Sequence, residues 1–185
     1  MLQAGHATRA ELDQKLEWIL ESPGDEGRLQ MIVIRPSTNQ RASVNHCEVS
    51  PEGGVHGDSW AHHCWKKLED GRPDPDVQVT MINSRLISLL AGEGERRALA
   101  GDQLYADLDL SRDNLPIGQR LRIGNAEFEV SPEPHTGCGK FSERFGPEAL
   151  KFISARERQA LRLRGIYLKI VSAGVIATGD VIRKV

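Results

Sequence analysis

A thiol set between two glycines is the strongest chemical feature of this sequence. The run Pro134-His135-Thr136-Gly137-Cys138-Gly139-Lys140-Phe141-Ser142-Glu143-Arg144-Phe145 places Cys138 where a strand ends and a helix begins. Flanking glycines open backbone geometries closed to other residues and let another group approach the sulfur. Lys140 and Arg144 bring positive charge, and His135 can add more. Cations and helix N-termini both favour thiolate over thiol, and the thiolate is the form that attacks sulfur or binds a soft metal. His135 and Lys140 are therefore read as groups that tune the Cys138 thiolate. The plainer alternative is a cysteine packed at a tight turn.

A second group of chemically capable residues crowds one stretch: His46, Cys47, His56, Asp58, His62, His63 and Cys64. A structural zinc ion takes four ligands of these types. No CxxC or HExxH spacing accompanies them, and adjacent residues such as His62, His63 and Cys64 point to opposite faces of an extended strand. Zinc is thus a minor alternative. GxSxG, phosphate-loop and dinucleotide fingerprints are absent, and no third group that would orient His135 for a Cys–His protease stands out.

The elements that must position these residues read mainly as strands. Thr8-Arg9-Ala10-Glu11 is a capping box, and Leu12, Leu16, Ile19 and Leu20 follow at helical spacing until Ser22-Pro23-Gly24. Strands are predicted over Leu29–Ile34, Ala42–Val49, Val77–Ile82 and Leu104–Leu110, with a glycine-dense loop at Ser50–Asp58. Asn83 can cap a helix that buries Leu86, Ile87 and Leu90. Gly118–Gly124 and Ala126–Ser131 form a hairpin around Gly124-Asn125, an unusual residue order for such a turn. A helical region over Phe141–Leu161 breaks near Gly146-Pro147, and strands over Ile166–Ser172 and Val175–Val185 close the sequence. Six to eight short strands at hairpin spacing predict a barrel or curled sheet, with the helices covering the barrel ends.

Composition narrows the function classes. The chain has 185 residues, a formal net charge of -2, 39% hydrophobic and 27% charged residues, which fits one compact domain. No concentrated basic stripe points to nucleic acid, no run is long enough to span a membrane, and the N-terminus lacks the pattern of a signal peptide. Three cysteines give no disulfide framework. A cytoplasmic location is the expectation.

The same segments resemble the MOSC domains, the family that includes the C-terminal domain of molybdenum cofactor sulfurase. Beyond the Cys138 run, the resemblance rests on Gly54-Val55-His56-Gly57-Asp58, Gln78-Val79-Thr80-Met81-Ile82-Asn83, Leu108-Asp109-Leu110, Leu115-Pro116-Ile117-Gly118 and Leu121-Arg122-Ile123-Gly124. Leu163-Arg164-Gly165-Ile166-Tyr167 and Gly174-Val175-Ile176-Ala177-Thr178-Gly179-Asp180 complete it, in the family's order. There are departures: Gly137 stands where many relatives have proline, and Gly101-Asp102-Gln103 replaces the Arg-Glu-Asn triplet of larger relatives.

What the resemblance implies is a mainly β fold, a MOSC-type β-barrel like the β-barrel domain of pyruvate kinase, with peripheral α-helices. Residues 1–27 then form an N-terminal helical extension and residues 28–185 the barrel domain. It also implies two chemistries. In one, Cys138 ligates the metal of a molybdenum–pterin cofactor. Asp58, Asn83, Arg144, Arg162 and Arg164 would be cofactor contacts, and a small molecule would be reduced with help from a redox partner. In the other, Cys138 carries a persulfide received from a separate cysteine desulfurase. Pyridoxal phosphate is not expected, since no desulfurase domain precedes the barrel. A non-catalytic binding module is the third reading.

Overall fold

The computed structural model describes residues 6–92 and 94–185. The capping box forms: the Glu11 carboxylate accepts from the Thr8 N–H at 2.7 Å, and Thr8 Oγ1 accepts from the Glu11 N–H at 3.3 Å. It starts α1 (Arg9–Gln14), but Lys15 leaves helical geometry, so the single helix expected here is divided into α1 and α2 (Leu16–Leu20).

The strands follow as β1 (Gly27–Ile34), β2 (Ala42–Val44), β3 (His46–Ser50) and β4 (Gly54–Val55). The strand expected over residues 42–49 is therefore two, parted at Asn45, and β4 lies within the glycine-dense segment expected to be loop. After α3 (Trp60–His63) come β5 (Val79–Asn83), α4 (Ser84–Ala91) and β6 (Leu104–Asp107). Next are β7 (Arg120–Ile123), β8 (Ala126–Val130), α5 (Gly139–Phe145) and α6 (Pro147–Ile153). The last three strands are β9 (Ile166–Ser172), β10 (Gly174–Ala177) and β11 (Val181–Lys184). Gly146, at φ 93, separates α5 from α6 at the predicted break.

Seven strands close into a barrel in the order β11-β7-β8-β9-β5-β6-β1, sealed by β1 against β11 at Gly27↔Ile182 and Arg28↔Val181. Every barrel pairing is antiparallel except β5 with β6. A parallel pair needs a crossover, which α4 supplies. β2 extends the sheet beside β1, while β10, β3 and β4 form a small second sheet.

Strand alternation creates two cores. Val79 and Met81 of β5, Leu104 and Ala106 of β6, and Leu29 of β1 fill the barrel. Ile82, Tyr105 and Val33 on the opposite faces of the same strands join Leu12, Ile19, Leu86, Phe141, Phe145 and Phe152 in an outer layer. The helices thus cover the outer wall formed by β1, β6 and β5 rather than the barrel ends. This explains why all five residues of β5 are buried: it is packed on both faces, and its sequence shows no polar alternation.

The β7–β8 hairpin accounts for its Gly-Asn order. Ile123 pairs with Ala126 across a two-residue turn, and Gly124 takes φ 56 while Asn125 is not left-handed. Positive φ at the first central position alone is the pattern of a type II′ turn, which places glycine first. Among the described residues no helix is long and apolar enough to cross a membrane.

Candidate functional site

Cys138 is the N-cap residue of α5, held extended at φ -127, ψ 172. Its side chain makes no capping bond and is exposed. Gly137 precedes it in close packing: a Cβ there would meet the side-chain tips of Leu150 and Ile153 of α6, which would have to shift. Gly139 has open space around it. The two glycines therefore differ in purpose, the first packing α6 and the second leaving the thiol uncovered.

Cys138 lines a cleft of about 330 Å³. Thr80 and Tyr167 also line it. Thr80 alternates with the interior residues Val79 and Met81, which sets the cleft on the outer wall of the barrel and away from its mouth. Among the described residues five cationic side chains line the cleft, from Arg35, Arg41, Lys140, Arg144 and Arg164, and no carboxylate does.

Two of the five are neutralised from behind. Arg35 leaves the end of β1 and grips Asp58 in a two-pronged pair, Nε to Oδ2 at 2.9 Å and Nη2 to Oδ1 at 2.9 Å. Asp58 also accepts from the backbone N–H groups of Arg35 and Trp60. Arg164 donates from Nη1 to both oxygens of Asp102, at 2.8 and 3.0 Å. Burial pushes the Asp102 carboxyl up, and the adjacent Arg164 opposes that shift.

Gln103 ties the pairs together. Its Oε1 accepts from Thr80 N–H and Oγ1–H at 2.8 and 2.6 Å, and its Nε2 donates to Gln78 O at 3.2 Å and Asp58 Oδ1 at 3.4 Å. Asp102 and Gln103 are fully buried, so each of these bonds replaces hydration that would otherwise be lost.

The other three cations have no acidic partner among the described residues. Arg144 donates to Leu99 O at 2.7 Å, and Arg41 to Gln40 O at 2.6 Å. Arg41 Nε is buried without a hydrogen bond. Burial lowers the Arg41 pKa, and Arg144 and Arg35 lower it further, which is the signature of crowded like charges.

His135 behaves differently from expectation. Its Nδ1 is buried, lies 3.6 Å from Asp102 Oδ1 and makes no hydrogen bond. Burial, then Arg164 and Arg35, hold its pKa well below the usual imidazole range. The ring is therefore neutral and adds no cation beside Cys138. It stacks in a tilted arrangement on Tyr167, with ring centroids 4.6 Å apart.

The structure brings Cys138, His135, Lys140, Arg144 and Arg164 into one cleft and sets Asp58 behind it, as the anchor of Arg35. Asn83 does not line it. Asn83 caps α4 through Leu86 N–H at 3.1 Å and bonds Ser22 Oγ and Leu108 O. Arg162 lines a separate cleft and donates to Leu115 O at 2.6 Å. Arg35, Arg41 and Gln103 were not foreseen. The one signal for this region is the departure at Gly101-Asp102-Gln103, which supplies Asp102, the partner of Arg164, and Gln103, which bonds Asp58, the partner of Arg35. The stretch from His46 to Cys64 forms no group of three or more ligands placed for a metal among the described residues. Cys47 faces the barrel core, and Cys64 packs with Trp60 and Val77.

Comparison with known proteins agrees with this architecture. No curated protein matches the chain. Among solved structures, the YuaD protein from Bacillus subtilis is 19% identical with a TM-score of 0.60, the match covering 84% of this chain and 93% of that one. YiiM from Geobacillus stearothermophilus is 18% identical with a TM-score of 0.58, covering 86% and 75% of the two chains. YiiM from Escherichia coli is 19% identical with a TM-score of 0.53, covering 85% and 69%. At these identities the likeness is one of fold. The MOSC domain profile matches residues 72–183, which include β5 through β10 and Cys138 itself. The chain belongs to the MOSC domain family, a family associated with the molybdenum cofactor.

Proposed function

We propose that this chain binds a molybdenum–pterin cofactor in the cleft beside Cys138, with Cys138 as the thiolate ligand of the metal, and uses it to reduce a small molecule. The observation that carries this reading is the pairing of an exposed thiol with a cleft lined, among the described residues, by five cations and no carboxylate. A phosphate-bearing pterin needs this setting: a soft sulfur donor at one end and guanidinium groups at the other. The residues present fit such a group. Arg41 Nε is a buried donor without a partner, and it would gain a hydrogen bond from an oxyanion. When bound, the metal supplies two-electron redox chemistry, with electrons from a separate redox partner. Lys140, Arg41 and Arg144 would hold the phosphate, while Arg35 and Arg164, fixed by Asp58 and Asp102, keep the wall rigid. Trp65, which is 67% exposed, lines the same cleft and would shield bound cofactor from water.

The exposure of Cys138 also favours a second reading, a persulfide carrier loaded by a separate cysteine desulfurase, since sulfur transfer requires an accessible thiolate. One experiment separates the two. Protein from a molybdenum-replete host is purified without reductant and measured by native mass spectrometry and metal analysis. Molybdenum with a pterin mass is expected in the wild type, lost in Cys138→Ser and reduced in Arg41→Ala/Arg144→Ala, with folding preserved by circular dichroism. A persulfide mass without molybdenum selects the carrier. Folded protein with neither is evidence against both and leaves a binding module.

A further inference from the structure

A second cleft, of about 350 Å³, backs onto the first. His135 and Arg164 line both. Its remaining charged residues are Arg112, Arg158, Arg162 and Glu133, and Glu133 is already held by Lys66 at 2.7 Å. The function proposed for Cys138 uses none of these four.

Three residues of this cleft carry a buried polar atom without a hydrogen-bond partner: Arg158 Nη1, Arg164 Nε and His135 Nδ1. Arg164 is 8% exposed, and so is the His135 side chain. A buried donor left unmatched is costly, and a bound acceptor would remove that cost. The cleft is also organised in advance. Arg158 holds Asp13 through Nη2 at 2.6 Å, and Arg162 holds Leu115 O through Nη1 at 2.6 Å, so neither guanidinium must be ordered on binding. Arg162 keeps its place with a left-handed backbone at φ 48, a conformation that favours glycine. Beside this charge lies an apolar flank that includes Ile117, which is 56% exposed, and Leu163.

We infer that this second cleft binds a small organic anion, an oxyanion group such as a phosphate monoester or carboxylate carried on an apolar body. The guanidinium groups take the oxyanion, as planar donors do, and the Ile117 flank takes the body. The site is distinct from the Cys138 cleft and needs no metal.

Calorimetric titration of the full chain at low salt tests this with phenyl phosphate, benzoate and inorganic phosphate as probes. Phenyl phosphate or benzoate should bind, and more tightly than inorganic phosphate. Arg112→Ala/Arg162→Gln should weaken binding about tenfold or more, the effect of losing a charge-assisted hydrogen bond. Arg41→Ala/Lys140→Ala, which removes phosphate contacts from the Cys138 cleft, should leave benzoate binding unchanged. Should the double variant fail to fold, Arg112→Ala alone serves, because Arg112 is exposed and its side chain holds no other group among the described residues. Absence of saturable binding overturns the proposal. So does equal binding of inorganic phosphate, or a loss confined to the Arg41/Lys140 variant. None of these results depends on molybdenum content, so this inference and the function proposed for Cys138 fail separately.

Discussion

Cys138, Cys47 and Cys64 share a chain but not an environment. Cys138 is exposed, whereas Cys47 lies against the barrel core and burial pushes its thiol up to about 11. Cys64 is buried and donates to Lys66 O at 2.9 Å. Alkylation requires an accessible thiolate. Iodoacetamide at pH 8 should therefore modify Cys138 first, with Cys47 and Cys64 reacting only after denaturation, as followed by intact and peptide mass spectrometry. Equal labelling of Cys47 in folded protein would contradict the burial described here. At this scale the sequence revealed what lies within a few residues of the thiol: Gly137, Gly139, Lys140 and Arg144. It did not reveal Arg35 and Arg41, because they reach the cleft only when β1 and the segment after it fold against the outer wall. Nor could local pattern show that Arg164 would meet Asp102, or that burial would leave His135 neutral.

The entry to β9 depends on Gly165. It takes φ 102, and a Cβ there would be driven into the Met81 carbonyl of β5. Gly165→Ala combines a disfavoured backbone conformation with a clash that no side-chain rotation relieves. It should destabilise the fold by about 2–4 kcal/mol in urea unfolding. Alanine at the open Gly139 should cost far less; comparable losses at both positions would refute the argument. Legibility also varied among elements. The break between α5 and α6 and the β7–β8 turn were readable, because Gly146-Pro147 and Gly124-Asn125 act through their own backbones. The division of residues 42–50 into β2 and β3 was not, since Asn45 carries no strong breaking signal and the two strands join different sheets.

Over the whole molecule, a barrel core and an outer helical layer share three strands, and the polar network of Asp102, Arg164, Gln103 and Asp58 lies beside that layer. This gives stability a defined pH dependence. An unfolded imidazole titrates near 6.5, while that of His135 is held well below by burial, Arg164 and Arg35. Between those values the unfolded chain binds the proton and the folded one does not, so stability falls as pH drops below about 6.5. One such group contributes at most about 1.4 kcal/mol per pH unit. Asp102 acts with the opposite sign above the ordinary carboxylate range, since its raised folded pKa means that the native state takes up the proton first. Comparing chemical denaturation of wild type and His135→Gln from pH 7 to pH 5 isolates the histidine contribution. The variant should lose less stability over that range, and identical slopes would assign His135 no part in it. The barrel class was legible from strand count and turn spacing. Helix placement was not, because double-sided burial of β1, β5 and β6 follows from tertiary packing.

The seam between β1 and β11 has a consequence for biogenesis. Gly27 and Arg28 wait for Ile182 and Val181, so a ribosome must deliver nearly every strand before the ring can shut. Until then β7 offers one bare edge and β1 a short one at Gly27 and Arg28, beyond the stretch that β2 covers, templates on which stray strands add. The interval between emergence of β1 and arrival of β11 is thus when this polypeptide is most exposed to aggregation and has most need of a chaperone.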